Sequence, residues 1–144
     1  MFILVVLLII GAYYVFKKNN SQLKNKKAIT DIPNAPGGGD IEIMFFTVDW
    51  CPHCKNAKTP WADFKQGYHN KRINNSLITC KEYNVTEKES TDPQYKDYQV
   101  AKNAQDKFKV EGYPTVKMRK GDQVIDFDAK ITTYALEKFV ENMA

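Results

Sequence analysis

Apolar positions along the chain fall into three regimes. Phe2 to Phe16 reads FILVVLLIIGAYYVF, without a single charged side chain. A helix apolar on every side suits a bilayer rather than a protein surface. From Asn19 to Asp40 the pattern is polar, then rich in Pro and Gly, with Pro33, Pro36 and three glycines at 37–39; this is linker composition. From Ile41 onward the apolar positions become periodic. Ile41 to Val48 (IEIMFFTV) is a nearly continuous run of strand formers, as expected of a central parallel strand covered on both faces. Ala57, Trp61, Phe64 and Tyr68 then draw one helical stripe, and Pro60 within it predicts a kink. Leu77 to Val85 reads as a second strand, and residues from about Pro93 to Phe108 as a polar helix. Thr115 to Arg119 and Val124 to Phe127 flank Lys120-Gly121-Asp122-Gln123 as a hairpin. Leu136, Phe139, Val140 and Met143 mark a last helix starting near Thr132 or Thr133. The order β-α-β-α-β-β-α predicts an α/β domain over residues 41–144, with a mixed central sheet and flanking helices, after one N-terminal apolar helix (residues 1–18) and a linker (residues 19–40).

Charge sharpens the first regime. The chain of 144 residues carries a formal net charge of +4, which on its face invites a polyanion partner. Five lysines (Lys17, Lys18, Lys24, Lys26, Lys27) sit in the first thirty residues with no acid among them. Removing those five from the 21 basic residues leaves 16 against 17 acids for the remainder of the chain. The body is neutral, and nucleic-acid binding by a basic face is not expected. Residues 2–16 would rise about 22 Å as a helix, and Tyr13, Tyr14, Lys17 and Lys18 would extend its reach to the headgroups. A retained single-pass anchor is the expectation, against a cleaved signal peptide ending near Ala12 or a buried core helix. Lysines on the C-terminal flank alone favour a cytoplasmic domain. Sequons starting at Asn19, Asn74 and Asn84 point instead to a secretory lumen.

The candidate chemistry lies at Asp49-Trp50-Cys51-Pro52-His53-Cys54-Lys55, where the first strand runs into the first helix. Unpaired backbone N–H groups and the helix dipole favour an anion at such a place, so Cys51 should have a lowered pKa and attack disulfides as its thiolate. Pro52 fits the first helical turn without wasting a donor. His53, protonated or donating a hydrogen bond, would favour that thiolate further. Cys54, expected to be the more buried, would resolve the mixed disulfide. Lys55 and Lys58 read first as a solvated helix face and second as charges that tune the pair. No bound cofactor is needed; protein thiols and disulfides would be the substrates, and a second dithiol system would supply or take the electrons.

A C-x-x-C that ends an apolar strand, opens a helix and is followed about sixty residues later by Gly112-Tyr113-Pro114-Thr115 resembles the thioredoxin superfamily, and in particular the thioredoxin-like domains of protein disulfide isomerases. The resemblance covers residues 41–142. Trp50-Cys51-x-x-Cys54-Lys55 resembles the family's WCxxCK active site, and Val110 to Thr115 resembles its V-x-G-Y-P-T segment. It implies that Pro114 is a cis-proline beside the cysteines, and that Tyr113 offers backbone groups to an extended substrate, with Trp50 also facing it. The Pro52-His53 pair is similar to that of the periplasmic oxidase DsbA, which implies an oxidising bias. Three departures stand out. Phe45 occupies the place of the family's buried acid, which implies slower resolution by Cys54 unless Asp49 or a water substitutes. Pro60 lies six rather than five residues after Cys54. The family's first strand and helix find no match in residues 17–40, which implies a reduced version of the fold.

Two other readings of the same residues compete. Cys51, Cys54 and Cys80 with His53 or His69 would make a zinc set, but no second C-x-x-C or H-x₃₋₅-H pair is present, so no metal is expected. Cys80 reads as a small buried hydrophobe on the second strand and His69 as a solvated helix-end residue. The remaining alternative is a docking module of a membrane assembly whose cysteines are inessential; the absence of an acid at Phe45 keeps it open.

Overall fold

The structure, a computed structural model, describes residues Gly39–Ala144. The expected anchor, the lysines behind it, the Asn19 sequon and the linker up to residue 38 lie outside the described residues. Among the described residues no helix is long and apolar enough to cross a membrane.

Eight elements follow one another: β1 (Ile41–Thr47), α1 (Pro52–Tyr68), β2 (Arg72–Ile73), β3 (Ser76–Asn84), α2 (Tyr95–Lys107), β4 (Thr115–Lys120), β5 (Gln123–Asp126) and α3 (Thr133–Met143). The sheet order is β2-β3-β1-β4-β5. β1 pairs in parallel with β3 and antiparallel with β4, so the sheet is mixed. Every residue of β1 is buried. Ile41, Ile43 and Phe45 pack with Trp61, Phe64, Leu136 and Val140, from α1 and α3. Met44, Phe46 and Val48 pack with Ala101 and Ala104 of α2 and with Cys51 and Cys54. The continuous apolar run of β1 is thus the centre of an α/β/α sandwich, one parity of side chains serving each face.

One element departs from the sequence reading. The short edge strand β2 pairs antiparallel with the start of β3, Ile73 opposite Ser76. The two residues between them, Asn74 and Asn75, both have positive φ (45° and 75°). That is the primed turn of a two-residue hairpin, which asparagine tolerates. The β4–β5 hairpin is as expected, with Gly121 at φ 58° in its turn. α1 runs through Pro60 as one helix. α3 starts where the periodicity placed it, the Thr132 hydroxyl accepting from the Ala135 N–H at 3.2 Å as an N-cap.

Candidate active site

β1 delivers the chain to α1 through Val48, Asp49 and Trp50, and the N-cap of α1 is Cys51. Pro52 occupies the first turn, where a missing N–H costs nothing. The Cys54 backbone N–H donates to the Cys51 sulfur at 3.4 Å. That N–H is the leading cause holding the Cys51 thiol below its ordinary pKa; burial opposes it, and the His53 backbone N–H adds to it. The helix N-terminus therefore acts on Cys51 through identifiable donors. Cys54 is fully buried, and burial pushes its thiol up. The pair is poised asymmetrically, with the outer sulfur the better anion.

The third component arrives from the other end of the sequence. The Tyr113–Pro114 peptide is cis, and the Tyr113 carbonyl accepts from the Cys51 thiol at 3.8 Å. The Thr115 hydroxyl donates to the Gly112 carbonyl at 2.8 Å and closes this loop locally. Beside it lies a groove of about 500 Å³ lined by His53, Asn56, Ala57, Pro114, Ala129, Lys130 and Ile131. His53 and Lys55 are exposed, and Trp50 is 71% exposed. The structure brings Cys51, Cys54, Tyr113 and Pro114 together, and puts His53 and Pro114 on one groove. His53 acts on Cys51 through its backbone N–H.

The Asp49 carboxylate is engaged by Asn84 and Lys58. Both of its carboxylate oxygens accept from the Asn84 side-chain amide at 3.0 Å, and Lys58 donates to one at 3.2 Å. The Asp49 backbone N–H donates to the Thr86 hydroxyl at 2.8 Å. Thr86 in turn donates through its hydroxyl to Asn84 Oδ1 at 2.6 Å. The Asn84 amide, with Lys58 assisting against burial, holds the Asp49 carboxyl below its usual range. Asn84 and Thr86 thus tie the loop carrying Trp50 and Cys51 to the end of β3, and Lys58 ties it to α1. The only local signal at Asn84 and Thr86 was the sequon, whose two polar side chains are engaged with each other and with Asp49.

Phe45, in the place of the expected acid, is fully buried and packs on Trp61 with ring centroids 5.1 Å apart. Cys80 is buried, and its backbone N–H donates to His69 Nδ1 at 3.0 Å. Among the described residues no three His, Cys, Asp or Glu side chains are grouped as a metal-binding set.

Comparison with known proteins gives a consistent picture. No family model matches the chain. It is 24% identical over 144 residues to human protein disulfide-isomerase A6, and 25% to that of Mesocricetus auratus, each alignment covering 92% of this chain. The chain spans 29% of the length of these curated relatives. Among solved structures it is similar to the first thioredoxin domain of mouse protein disulfide-isomerase A4, with a TM-score of 0.53 and 23% identity, covering 72% of this chain and 63% of that one. It is also similar to the first two thioredoxin domains of Naumovozyma dairenensis Eps1p (TM-score 0.52, 21% identity, 70% and 34% covered). Human ERp44 aligns at a TM-score of 0.52 with 12% identity, over 72% of this chain and 25% of that one. The described domain has the thioredoxin-like fold, and its sequence matches are protein disulfide-isomerases.

Proposed function

We propose that this chain is a membrane-anchored thiol–disulfide oxidoreductase that forms, reduces or isomerises disulfides in protein substrates through Cys51 and Cys54. The observation that carries the reading is one geometry: the Cys51 sulfur caps α1, takes the Cys54 N–H at 3.4 Å and lies 3.8 Å from the Tyr113 carbonyl. A lowered outer thiol and a buried inner one are what a two-step exchange requires. The similarity to protein disulfide-isomerases supports the same chemistry. The apolar run 2–16 and the lysines behind it support the anchor.

In the reducing direction the Cys51 thiolate attacks one sulfur of a substrate disulfide, and the other leaves as a thiolate that takes up a proton. An extended substrate strand beside Tyr113 and Pro114, with His53 at the groove and Trp50 exposed next to Cys51, would present that disulfide in line. Cys54 then attacks the Cys51 sulfur, forming the Cys51–Cys54 bond and releasing the second substrate thiol with the Cys54 proton. Two electrons pass from the pair to the substrate; a second dithiol restores it. Oxidation of a substrate runs the same steps backwards.

The test is insulin reduction with dithiothreitol by the full chain in detergent. Turnover is expected for the wild type and its loss for Cys51→Ser; equal turnover in the variant overturns the reading. Cys54→Ser should accumulate mixed disulfides on Cys51. The packing of Phe45 on Trp61, which leaves no carboxylate there, favours a second reading as a docking module. In that case Cys51→Ser keeps client binding and the wild type shows no turnover.

A further inference from the structure

Pro114 stands between two grooves and lines both. The groove of about 500 Å³ lies toward α1 and the loop before α3. The other, of about 640 Å³, lies toward the end of α2 and the β4–β5 hairpin. The two differ in charge. In the first, Lys130 is the one side chain of fixed charge, with His53 and Asn56 as its polar companions. All three are exposed, while the apolar lining, Ala57, Pro114 and Ile131, is buried or half-buried. In the second groove Lys107, Lys109 and Lys117 are matched by Glu111, Asp126 and Asp128, and Lys117 is paired with Asp126. Asp128 and Lys130, two residues apart on one loop, thus line different grooves. Among the described residues Lys130 takes part in no ion pair. Asp49, the acid on the loop that carries Cys51, is already held by Asn84 and Lys58.

A disulfide that reaches the Cys51 sulfur comes up beside the Tyr113 carbonyl, which lies 3.8 Å from that sulfur. An extended chain rises about 3.3 Å per residue, so side chains about one to three positions from the reacting cysteine fall on either side of Pro114. We propose that the groove of His53 and Lys130 selects substrates with an acidic residue on one flank of the reacting cysteine, and that Lys130 is the residue that sets this preference. The methylenes of a glutamate would lie on the apolar lining, and its carboxylate would meet the Lys130 ammonium and the Asn56 amide. A lysine on the same flank is repelled. On the other flank the charges of the larger groove balance, and the sign of a substrate side chain there makes little difference. Between exposed groups the effect is modest and falls with salt. Recognition precedes the bond exchange and adds no electron or proton to it.

This selection rests on the Cys51/Cys54 reading, and one experiment separates the two. Short peptides with a single central cysteine are prepared as symmetrical disulfide dimers, with Glu, Gln or Lys placed in turn on each flank. Their reduction by the full chain in detergent is followed with dithiothreitol as the reductant, and kcat/KM is compared. On one flank Glu should be favoured over Lys by about fivefold at low salt, and the ratio should approach one at high salt. Lys130→Gln should flatten this ratio and Lys130→Glu should invert it. Lys96→Glu, the same change of charge at an exposed site on α2, should leave the ratio as it is. Turnover of the Gln peptides by each variant reports that the domain is folded. Equal rates for Glu and Lys peptides in the wild type overturn the proposal alone. So does a ratio that survives Lys130→Glu, that is the same on both flanks, or that moves as far with Lys96→Glu, since net charge and not the groove then decides. A wild type that reduces none of the peptides, the Gln series included, overturns the Cys51 reading and this proposal with it.

Discussion

The side-chain amide of Asn84 donates to both carboxylate oxygens of Asp49 at 3.0 Å, across 35 residues of sequence. One end of this bond is next to Trp50 and Cys51, and the other is the last residue of β3. The register explains the meeting: Thr47 lies opposite Asn84 in the parallel β1–β3 pair, so the chain leaving β1 passes over the end of β3.

Loss of this clamp is measurable. Asn84→Ala leaves Asp49 with Lys58, an exposed pair (side chains 42% and 47% accessible) that contributes little by itself. Asn84→Ala should destabilise the domain by about 1 kcal/mol in urea unfolding. Asn84→Asp should cost more, because it sets a second carboxylate against Asp49 in place of a donor. Equal effects of the two variants would show that the bonds to Asp49 are not what Asn84 contributes.

The three thiols should differ in reactivity in the order their surroundings dictate. Cys51 is held low by the Cys54 N–H, so its alkylation by iodoacetamide should reach full rate at a lower pH than that of a free cysteine. Cys80 is pushed up to about 11 by burial, with Lys65 only partly offsetting it. At pH 8 the native protein should show fast labelling of Cys51 and none of Cys80, and guanidinium should make all three equal. Mass spectrometry of the labelled peptides reads this directly; rapid native labelling of Cys80 would contradict its assignment as a core residue.

Acid should weaken the sheet through Glu42. This β1 carboxylate bridges two strands, with Lys81 of β3 on one oxygen and Arg119 of β4 on the other, its Nη2 at 2.7 Å. Burial acts to raise its pKa, but the hydrogen bonds from Lys81 and Arg119 outweigh it, and the folded value lies below the ordinary one. A lowered folded pKa contributes stability that is present above the unfolded pKa and lost as pH falls through the folded one. The wild type should therefore lose stability on acidification below about pH 4.5, the unfolded glutamate range, more steeply than Glu42→Gln. At neutral pH the glutamine variant should be weaker by about 1–2 kcal/mol, since it leaves two cations without their counter-charge. Parallel denaturation curves at pH 3 and pH 7 separate the two terms.

Much of the fold was legible from the chain alone, and the reason is periodicity. The continuous run of strand formers at Ile41–Val48 reads as a strand covered on both faces, and it is one. The stripe Ala57–Trp61–Phe64–Tyr68 could only face such a sheet, and each of these four is buried. The placement of Cys51 at a strand-to-helix turn followed from where those two patterns meet. β2 escaped because two residues carry no period, and its turn is made by Asn74-Asn75 rather than by a glycine pair.

The site divides along the same line. Cys51, Pro52 and Cys54 are neighbours in sequence, so their spacing alone lets the two sulfurs close a small ring at a helix N-terminus. Tyr113 and Pro114 were reached only through resemblance, and it is tertiary structure that puts the Tyr113 carbonyl 3.8 Å from a sulfur 62 residues away. Asn84 looked like half of a sequon. What it does depends on which side chain the sheet register sets beside it, and register is a property of paired strands that no single stretch of sequence carries. Local pattern determined the elements and the candidate nucleophile; only the packed sheet decided which distant groups hold the loop that carries it.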